Sequence, residues 1–345
     1  MVESFTCCII NVIGNHKNSM KYSTSFEVLS PKIQFRTGLE PNKVVTDSLI
    51  LPHTKAVPGG IVDREGSEII EARLVRGARQ IIVGSPLVPV NVQKVTKIGY
   101  GNYRYAGALF WHFGHFLLEG LTRVSSLPGP ERSMPHVFHD LSYGHNIPHI
   151  NFFLSCLGIS AMPIIAPTRI HGDLIIPPAR LVIKRSIHRD QALVYKEISD
   201  KVLSLTKKYQ LQEYGFIYLS RANLPKDNRH ITNEIKLHEA LIKLGFQIIH
   251  MQELKIDEQI RIAAKAKLIV GPIGSAMHLT VFSPPEVQVV YLCHGAPNQN
   301  YPMLDALSGR KAHYFDFQRE RDGNGNWAIE IDETVQVLDT IISEI

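Results

Sequence analysis

Cysteine is scarce. The four in this 345-residue chain, Cys7, Cys8, Cys156 and Cys293, form no CxxC pair and no metal-knuckle spacing. That excludes a disulfide-stapled scaffold and a cysteine-ligated zinc site, and it fits reduced thiols in a cytoplasmic protein. Long apolar runs are missing too. Nothing approaches the ~20 consecutive apolar residues of a membrane-spanning helix. Asn11, Asn15, His16 and Lys17 interrupt the opening stretch where a secretion signal would stay apolar. A soluble cytoplasmic protein is expected. Neither sign of charge dominates: 37 Lys and Arg face 32 Asp and Glu, a net charge of +5. The excess is scattered, with no Arg-rich tract, RNP-like aromatic motif or zinc-finger spacing, which excludes nucleic acid as a partner. It still suits a small anionic ligand or loose attraction to an anionic membrane surface. No Walker A pattern, G-x-S-x-G elbow or HExxH helix occurs, which excludes the commonest NTPase, serine-hydrolase and zincin designs.

What is present is an ordinary globular composition, 44% hydrophobic and 20% charged. At roughly 100–200 residues per domain, the length predicts two domains. The first hundred residues read as short extended pieces: FTCCIINVIG, EVLSP, SLILP, EARLVRG and RQIIVG, cut by Gly, Pro and Asn, with VPGGIVDREG as a turn. GNYRYAGALFWHFGHFLLEGLTRV is dense in aromatics and histidine, and its second half predicts a helix. A clear amphipathic helix follows over 190–210, with Leu193, Val194, Ile198, Val202 and Leu205 on its apolar face. Then the rhythm becomes regular. GFIYLSR, FQIIHM, KLIVGP and VQVVYL read as strands alternating with ITNEIKLHEALIKLG, KIDEQIRIAAKA and GSAMHLTVFSPP as helices. Such alternation predicts a parallel sheet covered on both faces. The division falls near 186–191, giving an N-terminal α/β domain over 1–188, a Rossmann-like domain over 189–328 and a closing helix over 329–345.

Three segments could carry chemistry. In KLIVGPIGSAM a buried strand ends in a Gly-rich turn that opens a helix. Gly271 and Gly274 let backbone approach a ligand, and the helix start at Ser275 offers free N–H groups to a phosphate. Taken alone, the same pattern describes an empty strand-to-helix turn. In FIYLSRANLPKDNRHITNE a strand ends at Ser220–Arg221, and a loop with Lys226, Arg229 and His230 leads to a helix. Fixed cations there would neutralise a departing diphosphate; a solvated basic loop is the plainer reading. In WHFGHFLLEGLTR, His112, His115 and Glu119 share one helical face. They could supply a general base for an acceptor hydroxyl or ligate zinc, although no fourth ligand is evident. The structural alternative pairs Glu119 with Arg123 and packs His112 among aromatics. His136, His139, His145 and His149 fit no metal template and read as core or surface histidines.

In this order and spacing, the three segments resemble glycosyltransferase family 61. Gly114-His115-Phe116-Leu117-Leu118-Glu119 looks like its GHxLxD/E block. Tyr218-Leu219-Ser220-Arg221, then Arg229, Ile231, Asn233 and Glu234, look like its YLSR block. Gly245-Phe246, Glu253-Leu254, Glu258-Gln259-Ile260, Ala266 and Ile269 to Ser275 follow its next run, and Phe282, Pro284 and Pro285 its trailing F.PP. The likeness spans Tyr100 to Leu292. One departure is Ile273, where the family usually has His, so His278 becomes the side chain able to take over that contact.

The resemblance implies an α/β fold of GT-B type, two Rossmann-like domains facing a cleft, with acceptor on the N-terminal side and donor on the C-terminal side. It implies an inverting, metal-independent transferase with no cofactor beyond a nucleotide-sugar co-substrate, expected to be UDP-linked. Arg221 and Arg229 would contact the diphosphate, with Asn233 and Glu234 nearby. Ser275 and the Gly271–Gly274 backbone would hold phosphate. His115 or Glu119 would be the base. The final helix would pack back on the N-terminal domain. Family habit suggests an oligosaccharide, polysaccharide or lipid-linked acceptor in capsule or surface-polysaccharide synthesis, handled in the cytoplasm or peripherally at the inner membrane face. Two alternatives stand beside this. A polysaccharide pyruvyltransferase would use the same cations for phosphoenolpyruvate. A non-catalytic glycan-binding subunit is suggested by Ile273 and opposed by Arg221, Arg229 and Glu119.

Overall fold

The computed structural model describes residues 21–24, 29–30, 32–55, 58–76, 80–84, 94–124, 129–205, 214–225, 230–317 and 321–345. Cys7, Cys8, Lys226 and Arg229 lie outside them. In the N-terminal half the strands are β1 (Lys21–Thr24), β2 (Gln34–Arg36), β3 (Lys43–Leu51), β4 (Gly60–Val62), β5 (Leu74–Arg76), β6 (Gln80–Val83), β7 (Thr96–Ile98), β8 (Asn102–Phe110), β9 (His136–Leu141), β10 (Ala161–Ile164), β11 (Thr168–Ile176), β12 (Leu181–Val182) and β13 (Ser186–His188). Seven of them form one mixed sheet in the order β10-β9-β8-β11-β3-β4, with β7 also paired to β11. β8 is buried from Tyr103 to Phe110, as its almost unbroken apolar run demands of a central strand covered on both faces. β7 and β8 pair with successive stretches of β11. At the step between them the Gly101 backbone fills the space where any Cβ on Gly172 would sit, so Gly172 admits no side chain.

The C-terminal half supplies β14 (Phe216–Leu219), β15 (Phe246–Ile249), β16 (Leu268–Pro272), β17 (Gln288–Cys293) and β18 (Ala312–Asp316). They run parallel in the order β15-β14-β16-β17-β18. Alternation along each strand sends residues to opposite faces. Tyr218, Val270, Val290 and Phe315 meet the helices Glu234–Lys243 and Ile331–Ile342. Ile217, Ile269, Val289 and Tyr314 meet the other face, with Ile256–Lys265 and the 3-10 helix Ser275–Phe282. The expected two-sided parallel sheet is therefore present. Its order reverses between β14 and β16, the switch point at which doubly wound sheets bind ligands beyond their carboxyl ends.

Two expectations need correction. The final helix does not return to the N-terminal half. Leu338 and Ile341 bury against Leu237, Leu241 and Phe315 of the C-terminal sheet layer, because that face would otherwise expose its apolar side chains. β1, although placed within 1–188 by the sequence division, pairs antiparallel with β18 and extends the C-terminal sheet. The helix Asp190–Leu205 joins the halves. The Tyr195 hydroxyl donates to the Leu117 carbonyl at 2.9 Å, and the Ser199 hydroxyl donates to the Phe282 carbonyl at 3.2 Å. Phe153 stacks on Phe282 at 5.8 Å between centroids. One continuous core thus runs through the seam.

Candidate active site

The site is built where β14 and β16 end. The Ser220 N–H continues the pairing of β14 by donating to the Ile249 carbonyl. The chain then turns, and the Arg221 N–H donates to Glu234 Oε1 at 2.8 Å, the same oxygen that accepts the Tyr218 hydroxyl at 2.9 Å. Glu234 is 2% exposed. Burial pushes its carboxyl up, but His238, the Arg221 N–H and the Tyr218 hydroxyl outweigh that and hold it below the ordinary carboxylate range. Its charge therefore fixes the backbone that carries Arg221. Facing it, β16 runs into Ile273 and Gly274. The Arg221 guanidinium occupies the space a Cβ on Gly274 would need. Gly274 is extended, with φ at 178°, so its backbone conformation admits any residue, and a side chain here would push the guanidinium tip of Arg221 off the turn. Tyr301 holds the turn from the other side, its hydroxyl donating to the Gly274 carbonyl at 3.1 Å.

The N-terminal half reaches this turn through Gly114. A Cβ there would lie 3.0 Å from His278 Nδ1 and 3.6 Å from Ser275 Oγ. His278 is buried and stacks on the Tyr301 ring at 4.8 Å and 18°. Neither of its ring nitrogens makes a well-formed hydrogen bond among the described residues. Burial pushes it down to about 4; the nearby Ser275 backbone opposes this, and His115 and His112 add to it. His278 is thus a neutral imidazole at the meeting point of the first and third motifs.

The first motif is not one regular helix. His112 is extended, Phe113–His115 forms a single α-turn, and Phe116–Gly120 is a π-turn, a distortion frequent at functional sites. His115 Nδ1 lies 2.7 Å from Glu119 Oε2. Glu119 is 2% exposed, and Arg76 grips both its oxygens, Nε to Oε1 at 2.7 Å and Nη2 to Oε2 at 2.6 Å. The Glu119–Arg123 pair of the structural alternative does not form. Arg123 instead donates to the carbonyls of Pro177, Glu71 and Arg73, backbone acceptors that its own burial makes obligatory. His112 is exposed, 5.1 Å from the His115 ring; burial of part of its ring, then His115 and Arg76, lower its pKa. His115 Nδ1 also lies 3.1 Å from Arg76 Nη2, which can only donate; the carboxylate contact is the shorter of the two and favours the tautomer with the proton on Nδ1 and the lone pair on Nε2. A pocket of about 580 Å³ opens beside this ring, lined by Arg76, Trp111, His112, His115, Lys55 and Tyr143 among others.

Of the sequence candidates, the fold brings together Arg221, Gly274, Ser275 and His278, and sets His115 and Glu119 close by. Gly271 sits deeper, where a Cβ would strike Met277 and Leu219. Glu234 acts from behind the site. Asn233 faces elsewhere: its Nδ2 donates to the Ile329 carbonyl at 2.8 Å, and its Oδ1 accepts the Ile329 N–H at 3.0 Å. Sequence reasoning missed Arg76, Tyr301 and Tyr218. Arg76 falls in EARLVRG, which reads only as a strand, and nothing in that stretch announces an ion pair with residue 119.

The geometry leaves a neutral imidazole, a basic strand end and a glycine turn side by side at a sheet switch point. A search of curated proteins gave no match to the chain. The model of the family Glycosyltransferase 61 matches residues 113–290, just over half of the chain, and its span holds all three motifs from Phe113 onward. The chain belongs to glycosyltransferase family 61 and is a glycosyltransferase.

Proposed function

We propose that this enzyme is an inverting, metal-independent transferase of GT-B type that moves a sugar from a UDP-linked donor to a glycan acceptor. The donor diphosphate would lie over Gly274, between Arg221 and the N–H groups at the start of Ser275–Phe282. A guanidinium supplies a permanent charge and a planar set of donors to the leaving phosphate, work that a divalent cation does elsewhere. Arg229 is a second cation for that role, on sequence grounds. His278, neutral and without a well-formed partner, would take a donor hydroxyl or phosphate oxygen, the contact that Ile273 cannot make.

His115 would be the base. Its Nε2 would accept the proton of the attacking acceptor hydroxyl as the new glycosidic bond forms and the bond to the diphosphate breaks. Glu119 would orient the ring and steady the imidazolium that results, and Arg76 would hold the Glu119 carboxylate in place; both are positioning residues. Direct attack from the face opposite the leaving group inverts the anomeric centre. Capsule or surface-polysaccharide synthesis in the cytoplasm, with the acceptor free or lipid-linked at the inner membrane face, is the setting that fits such an enzyme.

The observation that carries this reading is the placement of the Arg221 guanidinium against Gly274 at the switch point. Calorimetry with UDP in the presence of EDTA tests it. The expected outcome is binding without metal, weakened in Arg221→Ala by about tenfold or more, as loss of one charge-assisted contact requires. Binding that needs Mg²⁺, or that ignores Arg221→Ala, rejects it.

A further inference from the structure

The pocket beside His115 has a one-sided chemistry. Its nitrogen-bearing side chains are Lys55, Arg76, His53, Trp111, His112 and His115, and the Thr54 and Tyr143 hydroxyls stand beside them; Lys55 is the cation with no carboxylate against it in the lining. Among the described residues, no Asp, Glu, Asn or Gln lines it. Two carboxylates stand behind the wall: Glu119 has both oxygens on Arg76, so that pair is neutral as a unit, and Asp140, whose Oδ1 accepts the Ser142 N–H at 2.8 Å, reaches Tyr143 through its charge without lining the pocket. His53 Nδ1 accepts the Gly59 N–H at 3.2 Å, so its neutral ring carries the proton on Nε2 and is a further donor. A neutral sugar presents hydroxyls that both donate and accept, and it needs acceptor side chains in return. A carboxylate or phosphate only accepts, which is what a donor-rich wall matches. The concave shape concentrates the field of Lys55 on whatever enters.

Apolar faces stand ready for the ring that bears such a group. Trp111 is 44% exposed and stacks on His145 at 4.5 Å. Tyr143 is 39% exposed and has Lys55 Nζ 5.5 Å from its ring centroid. Tyr143 also adopts φ of 50°, a left-handed conformation that bulky residues avoid unless the surroundings impose it. That places an aromatic face and a cation together at one wall of the pocket.

We propose that this pocket takes an acceptor carrying an anionic group, a carboxylate or a phosphate, close to the hydroxyl that receives the sugar. The proposal rests on the transferase reading above, with His115 as the residue facing the acceptor. Two sources share this chemistry: an acidic sugar in the acceptor glycan, and the diphosphate of a lipid-carrier-linked acceptor.

The test is a binding series with the full chain, read by calorimetry. The probes are a uronic-acid oligosaccharide, its carboxyl-reduced counterpart, and a short-chain prenyl diphosphate sugar. The acidic oligosaccharide, the diphosphate or both should bind about tenfold or more above the reduced oligosaccharide, the value of one charge-assisted contact. That advantage should fall in Lys55→Gln and further in Lys55→Glu, and shrink as salt is raised. Preference for the uronic acid identifies the glycan as the source, and preference for the diphosphate identifies the carrier. Equal binding of all three, binding of none, or an advantage indifferent to both Lys55 variants overturns the proposal. UDP titrations on the same samples separate the two readings. UDP binding that depends on Arg221 with no acidic preference sinks only the acceptor proposal, whereas absence of UDP binding sinks the donor-site assignment beneath it.

Discussion

Glu119 is 2% exposed, so water cannot stabilise its charge, and protein groups must do so. Arg76 meets it with two short, parallel N–H···O contacts, the planar match that lysine cannot reproduce. His115 takes the remaining direction. This arrangement argues for a division of labour, because a carboxylate enclosed on two sides has no route to an acceptor hydroxyl, whereas the His115 side chain is 37% exposed and lines the pocket. His115→Ala should therefore cut transfer, or donor hydrolysis, by about 10²-fold while UDP affinity holds. Glu119→Gln should give a smaller rate loss with unchanged UDP affinity. Arg76→Gln should lose rate and also lower the melting temperature by exposing an unmatched buried charge; Arg76→Lys should recover stability better than rate. Wild-type turnover in His115→Ala would remove the base assignment.

At the scale of elements, the switch-point turn and the contact between Asn233 and Ile329 make opposite predictions. Gly274→Ala places a methyl where the Arg221 guanidinium sits. UDP affinity should drop, by less than in Arg221→Ala because the displaced guanidinium keeps its charge nearby, with little change in melting temperature, since Gly274 is extended and already suits alanine. Asn233→Ala removes two hydrogen bonds to Ile329 and should cost roughly 1–3 kcal/mol of stability with donor binding intact; a selective loss of UDP binding would instead return Asn233 to the site. The C-terminal elements were legible because each strand and helix there has its own period and its own stop, such as Gly245 with φ of 85°. The N-terminal half was legible only as extended pieces. Its sheet pairs residues far apart, such as β3 with β11, and no local pattern reports that partner choice. The site divides in the same way. Arg221, Gly274 and Ser275 stand at strand ends that periodicity exposes, while the Arg76–Glu119 contact spans 43 positions and had no local signature.

Over the whole molecule, the buried histidines set the response to acid. His139, His278 and His313 are each pushed down to about 4, in every case first by burial. His139 is locked neutral between the Tyr105 hydroxyl and the Leu51 carbonyl. His278 lies at the seam of the two halves, so its charging would strain the contact with Gly114 that joins them. Because these folded-state values lie below the ordinary 6.5, the unfolded chain binds more protons between about pH 6.5 and 4. Stability from this source is complete above that window and is lost as pH falls through it. Fully expressed, each shift is worth on the order of 3 kcal/mol. Asp305 works against the trend. Burial raises it to about 6, so its protonation favours the folded chain over part of the same range. These three histidines against one carboxyl leave a net uptake of about two protons on unfolding, and His53, His112, His136 and His149, also lowered by burial, add to it. The melting temperature should therefore fall steeply from pH 7 to pH 5, before most surface carboxylates titrate. His139→Gln should flatten that slope by removing one proton, whatever it does to absolute stability. A flat profile between pH 7 and 5 would mean that these rings are hydrated or charged in the native state. The neutral imidazole assigned to the donor side at His278 would fall with it.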